Sequence, residues 1–262
     1  MPVFAHFYRF LHEEHGLLVV KGELRAVLDA WQQYHQRHGI PTPPEAVSQM
    51  GKRLLAAAIL GAMSFVENES WGWTMTLPES PWGFFCAAEP EGFVSLRHRE
   101  AEASKSLVVL QRQRENGPLR QSSFTPETCD PLSVIEQFFS ISEQIPTRLG
   151  MSEDGRCVLV QALPGAELTT LAGLDEAALI ETVERWTQGE AKETNEKLYW
   201  YGCRCDEQWL RLVVGSISNA QQAELWGSEA QLHIECPRCG RAYVLTRQEA
   251  DDDGDGSGAM VN

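Results

Sequence analysis

Cys203-Arg204-Cys205 and Cys236-Pro237-Arg238-Cys239, thirty residues apart, are the side chains of this sequence best suited to chemistry. A Cys-x-x-Cys turn presents two thiolates to one metal ion, and a second close pair completes a tetrahedral zinc shell. Most structural zinc sites use Cys-x-x-Cys twice. The tighter Cys203-x-Cys205 pair holds its sulfurs closer to a bridge between neighbours, which adds redox chemistry to metal binding. Zinc binds thiolate rather than thiol, so four sulfurs around a divalent ion leave the centre with net negative charge. Arg204, Arg238 and Arg241 stand beside these cysteines; they either offset that charge or are solvated surface arginines. His233, three residues before Cys236, is a substitute ligand, although the four cysteines already fill the shell.

Little else in the chain is arranged for catalysis. His6, His12, His15, His35 and His38 are spread over N-terminal helices or loops. There is no Ser-His-Asp arrangement, no phosphate-cradling glycine loop and no convincing acid pair, so an enzyme is not expected. Glu143 suits a structural or capping role, and Cys86, Cys129 and Cys157, each alone, suit small buried hydrophobes. At 262 residues with 43% hydrophobic and 23% charged, the chain can bury a sizeable core, in a main domain plus a small one. A net charge of −15 disfavours nucleic acid and anionic membrane as partners, since both need cationic patches. Residues Met1 to His15 carry no signal-peptide pattern, and the longest apolar run, the thirteen residues from Leu54 to Val66, is too short to cross a bilayer. The cytoplasm is therefore the expected compartment, where clustered cysteines mean metal or redox sensing.

The elements that must position the cysteines are legible in outline. Leu17 to Val20 reads as a strand, Glu23 to His38 as a helix closed by Gly39, and Glu45 to Val66 as a longer helix after the break at Pro41, Pro43 and Pro44. Trp71 to Met75, Gly83 to Ala88, Phe93 to Leu96 and Leu107 to Leu110 read as strands, with Trp71 and Trp73 in the core. Asp130 is the expected N-cap of a helix with Pro131 in its first position, and Leu132, Ile135, Phe138 and Phe139 on its apolar face. Asp154-Gly155 marks a hairpin between residues 145–151 and 156–163. A helix is expected over 175–186, then a polar stretch, 190–197, that reads as a linker. The acidic tail from Asp251 to Gly258 reads as disordered. The expected class is α+β: a mixed N-terminal domain of antiparallel strands and covering helices, a helical linker and a small C-terminal zinc-binding domain.

Three segments in register resemble the redox-regulated 33-kDa heat-shock chaperone family. They are Val20-Lys21-Gly22-Glu23-Leu24; Ser142-Glu143-Gln144-Ile145-Pro146-Thr147 with Gln161-Ala162-Leu163-Pro164-Gly165; and the Cys203-x-Cys205 and Cys236-x-x-Cys239 pairs. The likeness extends over most of the chain, though the region from Arg97 to Asp130 looks shortened and the linker compact. The resemblance implies domains at 1–164 (client-binding), 165–197 (linker), 198–249 (zinc-binding redox switch) and 250–262 (tail). It implies one zinc ion on Cys203, Cys205, Cys236 and Cys239 in a reduced, inactive protein. Oxidation to Cys203–Cys205 and Cys236–Cys239 disulfides would expel the metal, unfold the zinc domain and adjoining linker, and expose apolar surface that holds unfolding clients without ATP. Unfolded or aggregation-prone proteins are the implied partners, with a homodimer a candidate form of the oxidised protein. Leu198-Tyr199-Trp200-Tyr201, at the linker–zinc junction, is the candidate for the surface uncovered.

Two rival functions remain. A constitutive zinc ribbon that binds protein partners would ignore peroxide. A thiol oxidoreductase would place Cys236-Pro237-Arg238-Cys239 at a helix N-terminus, whereas Ile234 and Tyr243-Val244-Leu245 flank it with strand-like residues.

Overall fold

The computed structural model describes residues 4–65, 68–78, 80–101 and 106–247. The acidic tail expected to be disordered lies outside the described residues.

Strand β1 (Ala5–His12) turns into β2 (Leu17–Glu23), and the chain then enters α1 (Arg25–His38) and α2 (Glu45–Ser64). Gly39 closes α1 in the left-handed region at φ 64°, and Pro44 precedes the first turn of α2. An antiparallel run comes next: β3 (Glu69–Thr76), β4 (Trp82–Ala88), β5 (Phe93–Glu100), β6 (Leu107–Arg114) and β7 (Arg120–Phe124). Helix α3 (Pro131–Phe138) starts as expected, its cap the Asp130 carboxylate accepting from the Ser133 amide. The hairpin β8 (Thr147–Met151) and β9 (Arg156–Ala162) leads to α4 (Glu176–Thr187), capped by Asp175. After β10 (Lys192–Tyr201) come α5 (Glu207–Ser216), α6 (Asn219–Trp226) and a final hairpin, β11 (Gln231–Glu235) with β12 (Ala242–Thr246).

Ten strands form one sheet in the order β7-β6-β3-β4-β5-β10-β1-β2-β9-β8. Helices α1, α2 and α3 bury one face, with Trp71, Trp73, Phe138 and Phe139 in a core centred on the apolar half of α2. Helix α4 covers the other face at the β1-β2-β9 end, packing Leu179, Ile180, Val183 and Trp186 on Phe10, Leu17, Val19, Val158 and Val160. Those strands are buried on both sides, which is why Leu17 to Val20 is continuously apolar rather than alternating.

Three expectations are corrected. The polar stretch 190–197 is not a free connector: residues 192–197 are the first part of β10, paired antiparallel with β1 from Ala5↔Tyr199 to Leu11↔Lys192. Its side chains are mostly exposed, so it shows no apolar period; the backbone ladder holds it in the sheet, with side-chain bonds from Thr194 to Arg9 and from Glu196 to His6. His6 and His12 lie on β1 rather than on a helix or loop, and β7 was not anticipated, because its Arg-Gln-Ser-Ser sequence carries no strand pattern. Cys129 is exposed in the loop before α3, whereas Cys86 and Cys157 are buried as expected.

Strand β10 joins two half-sheets. It is antiparallel to β1, and its last residues run parallel to β5, Trp200 beside Phe93 and Tyr201 beside Val94. The approach depends on Gly92, which sits at φ 94° in the turn after β4: a Cβ there would lie 2.1 Å from the Leu198 carbonyl oxygen. The Trp200 amide donates to Gly92 O at 3.0 Å and the Gly202 amide to Val94 O at 2.9 Å. The chain therefore leaves the sheet at a fixed place, and the first cysteine comes at once.

Candidate metal centre

Cys203 and Cys205 lie on the extended segment between β10 and α5, directly after the Gly202–Val94 bond. Cys236 and Cys239 occupy the tip of the β11–β12 hairpin. The Cys236 amide donates to Arg241 O and the Gly240 amide to Cys236 O, each at 2.9 Å, so the tip folds back and turns both sulfurs to one side. The four Sγ atoms lie within 4.8 Å of one another. Cys203 and Cys236 are 3.8 Å apart, and Cys205 and Cys239 3.5 Å. A tetrahedral zinc ion with bonds of about 2.3 Å separates its sulfurs by about 3.8 Å. The donor set and its spacing therefore fit zinc, and the soft sulfur ligands favour it over magnesium or calcium.

Two phenols complete the shell. Tyr243 Oη donates to Cys205 O at 2.8 Å and lies 3.1 Å from its sulfur, while Tyr34 Oη, from α1, lies 3.3 Å from Cys239 Sγ. Burial, reinforced by the neighbouring sulfurs, pushes both tyrosines up, so they act as neutral donors. Hydrogen bonding from Cys203 draws Cys205 well below the ordinary thiol range and brings Cys236 to about 6. The same sulfur contacts push Cys203 and Cys239 up, so the cluster favours ionisation at two of its four sulfurs, and a metal ion would have to displace the proton from the others.

The arginines beside the ligands are not merely solvated. Arg204 and Arg238 both pair with Glu89, whose side chain is only 4% exposed, and Arg204 also reaches Glu91 at 3.2 Å. Arg241 lies over the Tyr243 ring at 4.7 Å. His233 is exposed on β11 and is not among the clustered residues. Glu143 plays a structural part: it holds Arg112 at 2.7 Å, and that guanidinium lies over the rings of Phe65 and Trp71. In the junction segment, Tyr199 and Tyr201 are buried while Leu198 is exposed. Sequence reasoning missed three contributors. Tyr34 was hidden in the apolar stripe of α1, and Tyr243 in the alternation of β12. Glu89, in a turn beside Pro90, carried no signal at all.

A four-thiol cluster with the spacing of a zinc site, bonded to a large α+β domain, defines the class of zinc-thiolate proteins. Residues 6–246 match the family model described as Hsp33 protein, and the chain belongs to that family. It is 27% identical over 199 residues to the 33 kDa chaperonin of Caulobacter vibrioides, a match spanning 61% of this chain and 63% of that protein. It is 22% identical over 272 residues to the 33 kDa chaperonin of Cronobacter sakazakii, covering 91% of both. The solved structure of the 33 kDa chaperonin from Thermotoga maritima shares the fold with a TM-score of 0.71 at 15% identity, over 94% of this chain and 96% of that one. No helix among the described residues is long and apolar enough to cross a membrane.

Proposed function

We propose that this chain is a cytoplasmic, ATP-independent holdase that is silent while Cys203, Cys205, Cys236 and Cys239 hold zinc and binds unfolding proteins once they are oxidised. The observation that carries the reading is the convergence of four sulfurs, from two segments thirty residues apart, onto one point that is bonded to the main domain. Bound zinc would tie the two cysteine segments together and offset their negative charge. When Cys203–Cys205 and Cys236–Cys239 disulfides form, each pair of thiolates would give two electrons to one peroxide, which takes two protons from solvent and leaves as two waters. The sulfurs are then no longer ligands, and the Tyr34 and Tyr243 hydroxyls lose their ionised acceptors.

The structural consequence of oxidation depends on how residues 203–247 are held. Their own core is small: Leu210, Val214, Trp226, Tyr243 and Leu245, closed by Cys236 and Cys239. A core of that size depends on its metal, which contributes on the order of 10 kcal/mol in structural sites. We assign 198–249 to the switch, 165–197 to the linker and 1–164 to the client-binding domain. Within the linker, α4 is the element whose release uncovers the most: lifting it bares the apolar faces of β1, β2 and β9. Residues 192–197 can leave only by breaking their ladder with β1. Unfolded proteins are the partners this apolar sheet face suits, and a homodimer is the candidate oxidised form.

Suppression of aggregation of a chemically unfolded client, by zinc-loaded reduced protein against protein oxidised with peroxide at mild heat, is the direct test. Protection confined to the oxidised protein is expected. Equal protection in both states would favour a constitutive binding module instead. Mapping the oxidised cysteines by mass spectrometry checks the pairing, since sulfur contacts of 3.8 and 3.5 Å also cross between the two motifs.

A further inference from the structure

Glu89 comes after β4 in the turn Glu89-Pro90-Glu91-Gly92, and its backbone is pinned there: its amide donates to Phe93 O at 2.8 Å and its carbonyl accepts from Gly92 at 2.9 Å. The carboxylate is 4% exposed and accepts from Arg204 and Arg238. These are the arginines inside the two cysteine motifs, one between Cys203 and Cys205, the other between Pro237 and Cys239. One buried anion of the main domain therefore grips both halves of the metal centre. Its neighbours at the centre each hold one half: Tyr34 reaches Cys239, and Arg97 reaches Glu235 beside Cys236.

We infer that Glu89 is a positioning residue for the metal centre, a latch that brings the two cysteine motifs together and seats them on the sheet. The inference rests on the zinc-thiolate reading above and adds to it how closure of the centre is coupled to docking. A buried carboxylate is tolerated only when paired. While both arginines are in place, the Glu89 carboxylate is satisfied. Arg204 is further held over the Phe93 ring, 5.5 Å from its centroid, and Phe93 in turn packs on Trp200 at 4.6 Å. If the two motifs move apart, one arginine must leave, and the remaining ion pair cannot span both. Opening of the centre and undocking from the sheet then become one event, as a switch requires.

The test is the rate at which a chromogenic chelator strips zinc from reduced, zinc-loaded full-length protein, read beside protease cleavage within residues 203–247. Glu89→Gln keeps the shape and removes the charge; it should release zinc roughly tenfold faster and be cut sooner. Arg204→Gln and Arg238→Gln should each speed release, and adding Glu89→Gln to the double arginine variant should change little further. An unchanged rate in Glu89→Gln, or a Glu89→Gln effect that persists undiminished without the arginines, overturns the latch. If Glu89→Gln fails to fold by near-ultraviolet circular dichroism, the two arginine variants carry the test, and wild-type release rates in both would overturn it. A wild-type protein that retains no zinc overturns the zinc-thiolate reading and the latch together. Wild-type zinc with wild-type kinetics in every variant overturns the latch alone.

Discussion

The Tyr34 hydroxyl on α1 lies 3.3 Å from the sulfur of Cys239, 205 residues later in the chain. The same ring stands edge-on to Tyr201, the last residue of β10, at 5.4 Å. Tyr34 thus touches both the last cysteine and the strand that delivers the first one. Hydrogen bonds to an ionised acceptor contribute about 1.5–3 kcal/mol. Tyr34→Phe is expected to keep the fold and make the cluster react about tenfold faster with a thiol reagent. A stopped-flow comparison with wild type would show it, and equal rates would deny the bond any influence on the sulfurs.

The seven cysteines should fall into three groups by reactivity. Cys86 and Cys157 are wholly buried, and burial pushes both thiols far above the ordinary range. Cys129 is exposed, and the remaining four form the cluster. Zinc-loaded native protein is therefore expected to titrate one fast thiol, and chelator-treated protein five. Seven fast thiols in the native protein would mean that the sheet core is open.

Acid should weaken the α1–sheet contact through His35. This ring is buried and accepts from Trp31 Nε1 at 2.8 Å; burial first, and then the charge of His98, bring it from 6.5 to about 4. The native state keeps it neutral between those values while the unfolded chain takes up a proton. Stability from this group is therefore complete above pH 6.5 and is lost as the pH falls toward 4, by about 2 kcal/mol with allowance for partial solvent screening. The melting temperature should drop over that window in wild type and drop less in His35→Gln.

Gly92→Ala addresses the seam between the half-sheets. The added Cβ meets the Leu198 carbonyl oxygen at 2.1 Å, in a backbone conformation that alanine rarely adopts. The end of β10 must move away from β5, so faster hydrogen exchange at the Trp200 and Gly202 amides is expected, together with weaker zinc retention. Unchanged protection at both amides would show that the turn can relax without disturbing the strand.

How much of this could be read from residue order alone differs from element to element. The clustering of the four cysteines and its fitness for a shared metal were legible because thiolate chemistry is local: two cysteines on one short turn can hardly serve anything but a shared ion or a bridge. Helices α1 to α4 were legible for a similar reason, since apolar period, capping aspartates and closing glycines act over a few residues. Strand β10 was not, because a strand fixed by a ladder to partners 185 residues away needs no pattern of its own, and its exposed lysines and glutamates resemble a linker. Nor were Tyr34 and Glu89, an aromatic in an apolar stripe and an acid in a turn. Only the tertiary structure could assign them to the sulfur centre, because hydrogen bonds and ion pairs of that range depend on where the sheet places each end of the chain.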